Sequence, residues 1–499
     1  MQRKKLTLVI VSLLVVVLSV SLAYFTTQII GKGKDVSVTS TNLQIVFTDT
    51  DGEIAGADIE PGWTAIKTFT VENNSKSEYK YNIVIKDLVN TFVTNGYLQY
   101  KITSTNSGYN MTEFKDIPKS QTATDKVLAY SVAIPVGVTQ TYTIEFTYPN
   151  DENVDQGDDM GKVLKGTLFI TEGTEDIHGG FEDSTLAWQL LDDHSTRLIR
   201  TDFSDTLSIS NTKTLYTATE EGTPVYYFAG NAQDNWVKFG GFYWRIIRTN
   251  SDGGVRLLYH GTSTTATDAY IGTSKFNETS NDSMYVGYMY GTSGSQESNR
   301  TNTNNSTIKT AVDNWYASNM TSYTKYLSTT AVYCNDREVG SGTYSATGSA
   351  FYYAAYTRLK KIKMPTYDCA NENDKFTVDN TTGNGKLTYP IALMTLDEIN
   401  YAGVMLDGYS NTWYAYNSAK SNSTGVEWWW VMSPCYSSKS LAYGVIIGGN
   451  VTGGSSTFAE VHTSVGVRPV VSLKSCVKYA SGDGSASNPY TIEETASGC

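Results

Sequence analysis

Three groups of side chains in this chain have the types and spacing that chemistry asks for. The first is the stretch Glu427-Trp-Trp-Trp-Val-Met-Ser-Pro-Cys435, in which three of the nine tryptophans run directly towards one of the five cysteines. Indole rings offer stacking faces to a ligand, and a cysteine outside a disulfide offers a nucleophile. Alternation along a strand sends Trp428 and Trp430 to one face and Trp429 to the other, so the three rings cannot form one platform. Trp429 is then the ligand-facing candidate, with a second core layer as its alternative. Cys435 has no histidine beside it in sequence, and a dyad with His462 would have to be assembled by the fold. A leftover cysteine of this kind is expected to be a free thiol that serves as a small hydrophobe or bridges to another chain.

The second group is acidic. Asp151, Asn153, Asp155, Asp158 and Asp159 crowd one loop, and alternating oxygen ligands make Asp151, Asn153, Asp155 and Asp159 a calcium candidate. Gln156 stands where an EF-hand needs its turn glycine, so a solvated acidic hairpin competes with that reading. The third group lies in "CYSSKSLAYGVIIGGNVTGGSSTFAEVHTS", where two strand-like runs bracket the turn "NVTGG". Tyr436, Tyr443, Asn450 and His462 on this hairpin join Trp429 as ligand-binding candidates. No cofactor is expected. His178, His194, His260 and His462 do not stand at metal-ligand spacing from one another, and no Gly-x-Ser-x-Gly elbow is present. Asp397 and Glu398 sit where a helix start needs acceptors, which argues against an acid/base pair.

The elements that must position these groups are mostly strands. The chain has 499 residues, enough for two or three domains, and only 18% of them are charged. Its polarity comes from Asn, Ser, Thr, Gly and 36 tyrosines, a mixture that suits pleated strands and turns. The formal net charge is −12. Away from the N-terminus the one basic run is Arg358 to Lys363, so no nucleic-acid footprint is expected. Arg3, Lys4 and Lys5 precede an uncharged run from Leu6 to Phe25, long enough for a bilayer-spanning helix with the rest of the chain outside. Ser21-Leu22-Ala23 also fits a signal-peptidase site, so residues 1–30 read as a membrane anchor or a cleaved signal.

From 36 to 172, runs such as "AIKTFTVENNS", "YKYNIVIKDL" and "TYTIEFTYP" alternate apolar and polar, which predicts an all-β antiparallel sandwich of about seven strands. Residues 173–183, "GTEDIHGGFED", read as a linker. The region 184–499 holds all the cysteines and eight of the nine tryptophans and reads as α+β. "STLAWQLLDD" predicts a short helix, as does "STIKTAVDNWYASNM" with Ser306 as N-cap. A third follows from Thr395 and Glu398 at capping-box spacing with Gly403 as the stop. "GFYWRIIRT", "VRLLYHG" and "VGVRPVVSL" predict strands, with Trp236, Trp244, Trp428, Trp430, Arg245 and Arg468 architectural. Spacing suggests the disulfides Cys334–Cys369 and Cys476–Cys499, which persist outside the cytoplasm.

Two resemblances add to this. "ADIEPGWTAIKTFTVENNS" and "NDENVDQGDDMGKVLKGTLFIT" resemble the biofilm-fibre and camelysin-type β-sandwich family of bacilli, which implies a surface or matrix module without catalysis. The ordered blocks "GTPVYYFAGNAQDNWVKFGGFYWRIIRTNSDGGVRLLYHG", "YCNDR", "MPTYDCAN", "LTYPIALMTLDEINYAGV", "WWWVMSP" and "VGVRPVVSLKS" resemble an uncharacterised family of Firmicutes surface domains. That family is similar to the formylglycine-generating-enzyme branch of the C-type-lectin-like fold. The enzymes of that branch hold copper with two nearby cysteines, whereas here Cys435 and Cys476 stand far apart in sequence. The expectation is a non-enzymatic cell-surface protein, anchored or secreted, that presents a lectin-like domain to an extracellular glycan or protein ligand. The alternatives are a fibre subunit, a secreted enzyme on that fold and a retroelement-diversified binding protein.

Overall fold

The computed structural model describes residues 59–499 apart from 95, 175, 195, 208–209, 267–268, 348–350, 380–384, 406–412, 416–427, 438–443 and 450–456. It adds the backbone of the strands Val36–Ser40, Leu43–Asp49 and Ile54–Gly56. Residues 1–35, and with them the expected anchor or signal, lie outside the described residues. Contacts divide the chain into two units at Asp176/Ile177.

The first unit consists of two antiparallel sheets around one core, as the period-2 runs require. One sheet runs in the order Val36–Ser40, Leu43–Asp49, Trp63–Asn73, Thr139–Tyr148, Gln99–Ser104 and Lys115–Asp116. The other runs Ile54–Gly56, Leu164–Glu172, Tyr79–Asn90 and Ser120–Ile134. Strand Trp63–Asn73 shows the logic: Phe69, Val71 and Asn73 are buried while Thr64, Ile66 and Thr68 face water. Phe69 stacks on Tyr142 of the neighbouring strand with ring centroids 4.7 Å apart, and Ile83, Ile85, Ile144 and Leu168 close the core from both sheets. The ten strands exceed the expected number because the ladder also recruits two- and three-residue pieces, too short to show periodicity.

The second unit is also mostly strand. Its main sheet runs Thr196–Ile199, Thr214–Glu220, Thr223–Tyr227, Phe242–Thr249, Val255–Gly261, Pro469–Leu473 and Ile391–Leu393, with Trp236–Phe239 on the side of Phe242–Thr249. The first pair is parallel and the rest antiparallel. Every residue of Val255–Gly261 is buried, so this strand is covered on both faces. A second sheet joins Thr273–Ser274, Val465–Gly466, Trp428–Ser437, Phe351–Tyr353 and Val339–Ser341. Gly444–Gly449 pairs with Trp428–Ser437 of this sheet and in turn with Thr457–Glu460, the hairpin expected around "NVTGG".

The three expected helices form where their caps call for them, and two four-residue helical segments, Gln296–Asn299 and Ala354–Thr357, accompany them among the described residues. Leu186–Asp193 starts on Thr185, whose hydroxyl accepts from Trp188 N. Thr307–Asn319 starts on Ser306 and buries Ile308, Val312 and Tyr316. Leu396–Tyr401 has the reciprocal box: Thr395 N donates to Glu398 Oε2 at 3.0 Å, and Glu398 N donates to Thr395 Oγ1 at 3.1 Å. Gly403 ends it at φ 109°, a conformation open to glycine. The segment expected as a linker is partly packed. His178 is buried and stacks on Trp188 at 4.1 Å, and Phe181 meets Tyr226 edge-on. Two aromatic rings among the glycines gave the chain something to bury. Cys334 is bonded to Cys369 and Cys476 to Cys499, leaving Cys435 buried and outside both disulfides.

Candidate functional site

Trp429 is not a ligand-facing ring. It is fully buried, stacked on Trp413 with centroids 6.4 Å apart, and the Arg468 guanidinium lies 5.0 Å from its centroid. Trp430 is buried among other neighbours, meeting Phe276 at 5.6 Å and donating from its indole to Ser274 O at 2.7 Å. Alternation therefore separates the two rings, but the strand is covered on both sides and each ring enters core. Arg468 donates to the carbonyls of Tyr259 and Ala415, and Arg245 to Ala232 O and Asn235 Oδ1, which makes both architectural. Burial and these two guanidinium groups hold His260 near pKa 2, so it stays neutral.

The remaining expected site residues scatter. Tyr436 lies on the strand Trp428–Ser437, paired with Tyr352, and only its backbone is described. Tyr443 and Asn450 fall outside the described residues. His462 is half exposed, with Nε2 3.0 Å from Glu460. Cys435 is 1% exposed and burial pushes its thiol pKa up, which suits the small-hydrophobe reading and not a thiolate nucleophile.

The calcium candidate also disperses, because its carboxylates already accept hydrogen bonds within the loop and from segments packed against it. Asp151 accepts from Asn153 N and from the Tyr97 hydroxyl, and Asp155 from Gly157 N. Asp159 accepts from Val93 N and the Tyr148 hydroxyl. Among the described residues no three histidine, cysteine or acidic side chains stand close enough to hold a metal ion.

Two concave places among the described residues of the second unit differ in size, and the sizes separate their roles. One is a cavity of about 20 Å³, room for a single water, lined by Arg248, Arg256, Asp336, Arg358, Asp397 and Glu398. Arg248 bridges Glu220 at 2.7 Å and Glu398 at 3.2 Å, and Arg256 reaches Glu398 at 2.7 Å. Burial alone would raise both glutamates, yet the arginines outweigh it: Glu220 is held near pKa 2 and Glu398 below its usual value. These charges neutralise one another and leave no space for a substrate, so they fasten the helix Leu396–Tyr401 to the main sheet.

Asp336 is the exception within this cluster. It lies 2.9 Å from Arg358, but burial, helped by Asp397 and Asp374, lifts its pKa to about 6. A raised folded-state value means stability from this group is fully present below the unfolded value near pH 4 and is lost as pH rises through 6. Asp336→Asn keeps an acceptor for Arg358 and suits the left-handed backbone there, φ 46°. It is expected to stabilise the chain by about 1–3 kcal/mol at pH 7.5 and to lose that advantage by pH 4. Thermal unfolding at both pH values checks this; destabilisation of the variant at pH 7.5 would refute it.

The other place is an open groove of about 530 Å³, within the range of small-ligand sites. Four short segments build it. A 3₁₀ turn, Ser283–Val286, is capped by Asp282, which accepts from Met284 N at 2.8 Å, and presents Tyr285. Met289–Tyr290 pairs with Asn304–Asn305, which brings Tyr290 and Asn305 to one wall. Ser306 ties that wall to the helix, donating to Tyr288 O at 2.8 Å while accepting from Lys309 N at 3.2 Å. Thr307, Thr310, Ala311 and Asn314 then form one stripe of the helix along the groove. Ile308 N donates to Phe276 O at 3.1 Å, which fixes the segment carrying Asn277 and Glu278.

The rings of Tyr285 and Tyr290 meet edge to face at 5.4 Å. Burial, and Tyr285 beside it, raise the Tyr290 pKa, so its hydroxyl is neutral and can both donate and accept. Among the described residues no lysine or arginine lines the groove, and the one lining carboxylate, Glu278, is paired with Lys275 at 2.7 Å. The chemistry available is hydrogen bonding by amides and hydroxyls beside two aromatic rings. Apart from Ser306 and the helix that it caps, none of these residues was singled out in the sequence, where an Asn/Ser/Thr-rich helix start near tyrosines was the one sign of the groove. No protein-family model, curated protein or solved structure matches this chain.

Proposed function

We propose that this chain is a non-enzymatic extracellular recognition protein whose C-terminal unit binds a neutral saccharide in the Tyr285/Tyr290 groove. The observation that carries the reading is the groove's composition. Two tyrosines supply apolar ring surface for sugar C–H faces, Asn277, Asn305 and Asn314 supply amides for hydroxyl groups, and the described lining residues include no cation, the adjacent Lys275 being paired with Glu278. A polar yet nearly uncharged lining matches a ligand of many hydroxyls and no charge.

On this reading the unit is a C-type-lectin-like domain of the formylglycine-generating-enzyme branch without that branch's chemistry. Cys435 is buried with a raised pKa, and Cys476, which copper chemistry would need as its partner, is committed to Cys499. The two disulfides suit an oxidising compartment outside the cell. The basic residues and apolar run at the N-terminus suit anchoring or export, and the first unit serves as stalk or matrix module.

The test is an array of neutral and anionic saccharides probed with the purified full chain and two variants, Tyr290→Ala and Asn314→Ala. The chain is expected to bind a neutral saccharide, with affinity about tenfold or more weaker in Tyr290→Ala, equivalent to ~1.4 kcal/mol of lost stacking and hydrogen bonding. Melting temperatures should stay close to the parent's, since Tyr290 is only half buried and Asn314 exposed. Binding confined to anionic saccharides, or kept in full by both variants, would defeat the proposal.

A further inference from the structure

The one basic run in the body of this acidic chain, Arg358-Leu-Lys-Lys-Ile-Lys-Met364, forms a rigid knuckle with its apolar tips in water. Residues Arg358–Ile362 make a single π-helical turn, and Lys363 closes it in the left-handed conformation at φ 61°, its N–H donating to Arg358 O. Everything beneath is pinned. Leu359 is 1% exposed. Arg358 is neutralised by Asp397 at 2.7 Å and Asp336 at 2.9 Å. On the far side Thr366 N donates to Asp397 at 3.0 Å and Pro365 O accepts from the Tyr401 hydroxyl at 2.9 Å. The disulfide at Cys369 follows three residues later.

This scaffold holds two large apolar side chains outward within a basic run. Ile362 is 63% exposed and Met364 57%, side by side with Lys360, Lys361 and Lys363. Lys361 and Lys363 have no ion pair among the described residues. Two large apolar side chains held in water by a fixed turn gain nothing for the fold, and lysines around them add positive charge to a molecule whose net charge is −12. Apolar tips that can enter the acyl boundary, ringed by long cationic chains that reach phosphate headgroups, are the features of an interfacial membrane contact. A soluble polyanion would satisfy the lysines and leave Ile362 and Met364 in water, which favours a bilayer as the partner.

We infer that the Lys360–Met364 knuckle docks on the surface of an anionic lipid bilayer, independently of the saccharide groove. The contact is individually weak. It becomes populated when another part of the chain already holds the unit near the membrane, because tethering raises the effective concentration.

The test uses the full chain with Met364→Cys carrying an environment-sensitive nitrobenzoxadiazole probe; the buried Cys435 does not compete for the label. Vesicles of phosphatidylcholine, with and without phosphatidylglycerol, are titrated at low and high salt. Expected is a blue-shifted, brightened emission on phosphatidylglycerol vesicles only. High salt should weaken it, since screening shortens the reach of the charges. Lys361→Glu with Lys363→Glu should raise the half-maximal lipid concentration about tenfold or more. The probe reports position 364 alone, so insertion of the apolar N-terminal run by itself leaves the emission unchanged. An unchanged emission on anionic vesicles would overturn the inference. So would an equal response to soluble poly(glycerol phosphate) or to an acidic protein, or full retention in the charge-reversed variant.

Discussion

Replacing Glu398 with alanine is expected to cost the second unit about 3–5 kcal/mol, as removal of one member of a buried ion network does. The carboxylate lies 2.7 Å from Arg256 and 3.2 Å from Arg248, and all three side chains are almost completely buried. Without it Arg256 keeps Val332 O, the Ser472 hydroxyl and the face of Tyr333, and Arg248 keeps Glu220 and Thr249 O. The helix Leu396–Tyr401 loses half of its capping box as well, since Glu398 Oε2 accepts from Thr395 N. Denaturant unfolding of the chain and the variant measures the loss. A control separates charge from shape: replacing Glu220, Arg248, Arg256 and Glu398 together by apolar residues of similar volume, so that no buried charge is left unpaired, should recover a large part of it. A loss below about 1 kcal/mol in Glu398→Ala would show that the network does not hold helix and sheet together.

Trp429→Ala is expected to be of similar size, about 3–5 kcal/mol, for a different reason. The ring is 0% exposed and lies against Trp413 and Arg468, so truncation opens a cavity and strips the Arg468 guanidinium of its aromatic cover. The same denaturant measurement applies, with saccharide binding followed in parallel. Near-parental stability combined with lost binding would return Trp429 to the ligand surface and remove the assignment of this strand to core.

These two predictions mark where sequence and structure part. Periodicity was sufficient for the first unit, because a sandwich strand has one wet face and Thr64 and Thr68 declare it, although Ile66 on that face and the buried Lys67 on the other break the alternation. Caps were legible too: Ser306, Thr395 and Glu398 act locally, and local hydrogen bonds leave local signatures. Alternation told which rings of the tryptophan row oppose each other but not that both faces are covered, which depends on Trp413 and Phe276 arriving from elsewhere in the chain.

The acidic loop misled for the opposite reason. Its carboxylates accept from backbone N–H groups and from the hydroxyls of Tyr97 and Tyr148, and composition cannot tell such a loop from a cation cage. The buried arginines did have a sign, since Arg248 and Arg256 interrupt apolar strands that would otherwise be continuous, and a charge there requires a partner. The groove had almost none, because Asn277, Tyr285, Tyr290, Asn305 and Asn314 come from separate short segments and meet only through the pairing of Met289–Tyr290 with Asn304–Asn305 and the start of the helix. Recognition sites assembled from turns are legible only after the scaffold is placed.

The central claim is that the saccharide sits in this groove and not on the C-terminal hairpin that the sequence suggested. Hydrogen–deuterium exchange of the full chain, with and without the neutral saccharide selected from the array, tests that directly. Slowed exchange is predicted in residues 277–290 and 304–314, with the segment 436–463 unchanged. Protection confined to 436–463, with the groove segments unaffected, would contradict it.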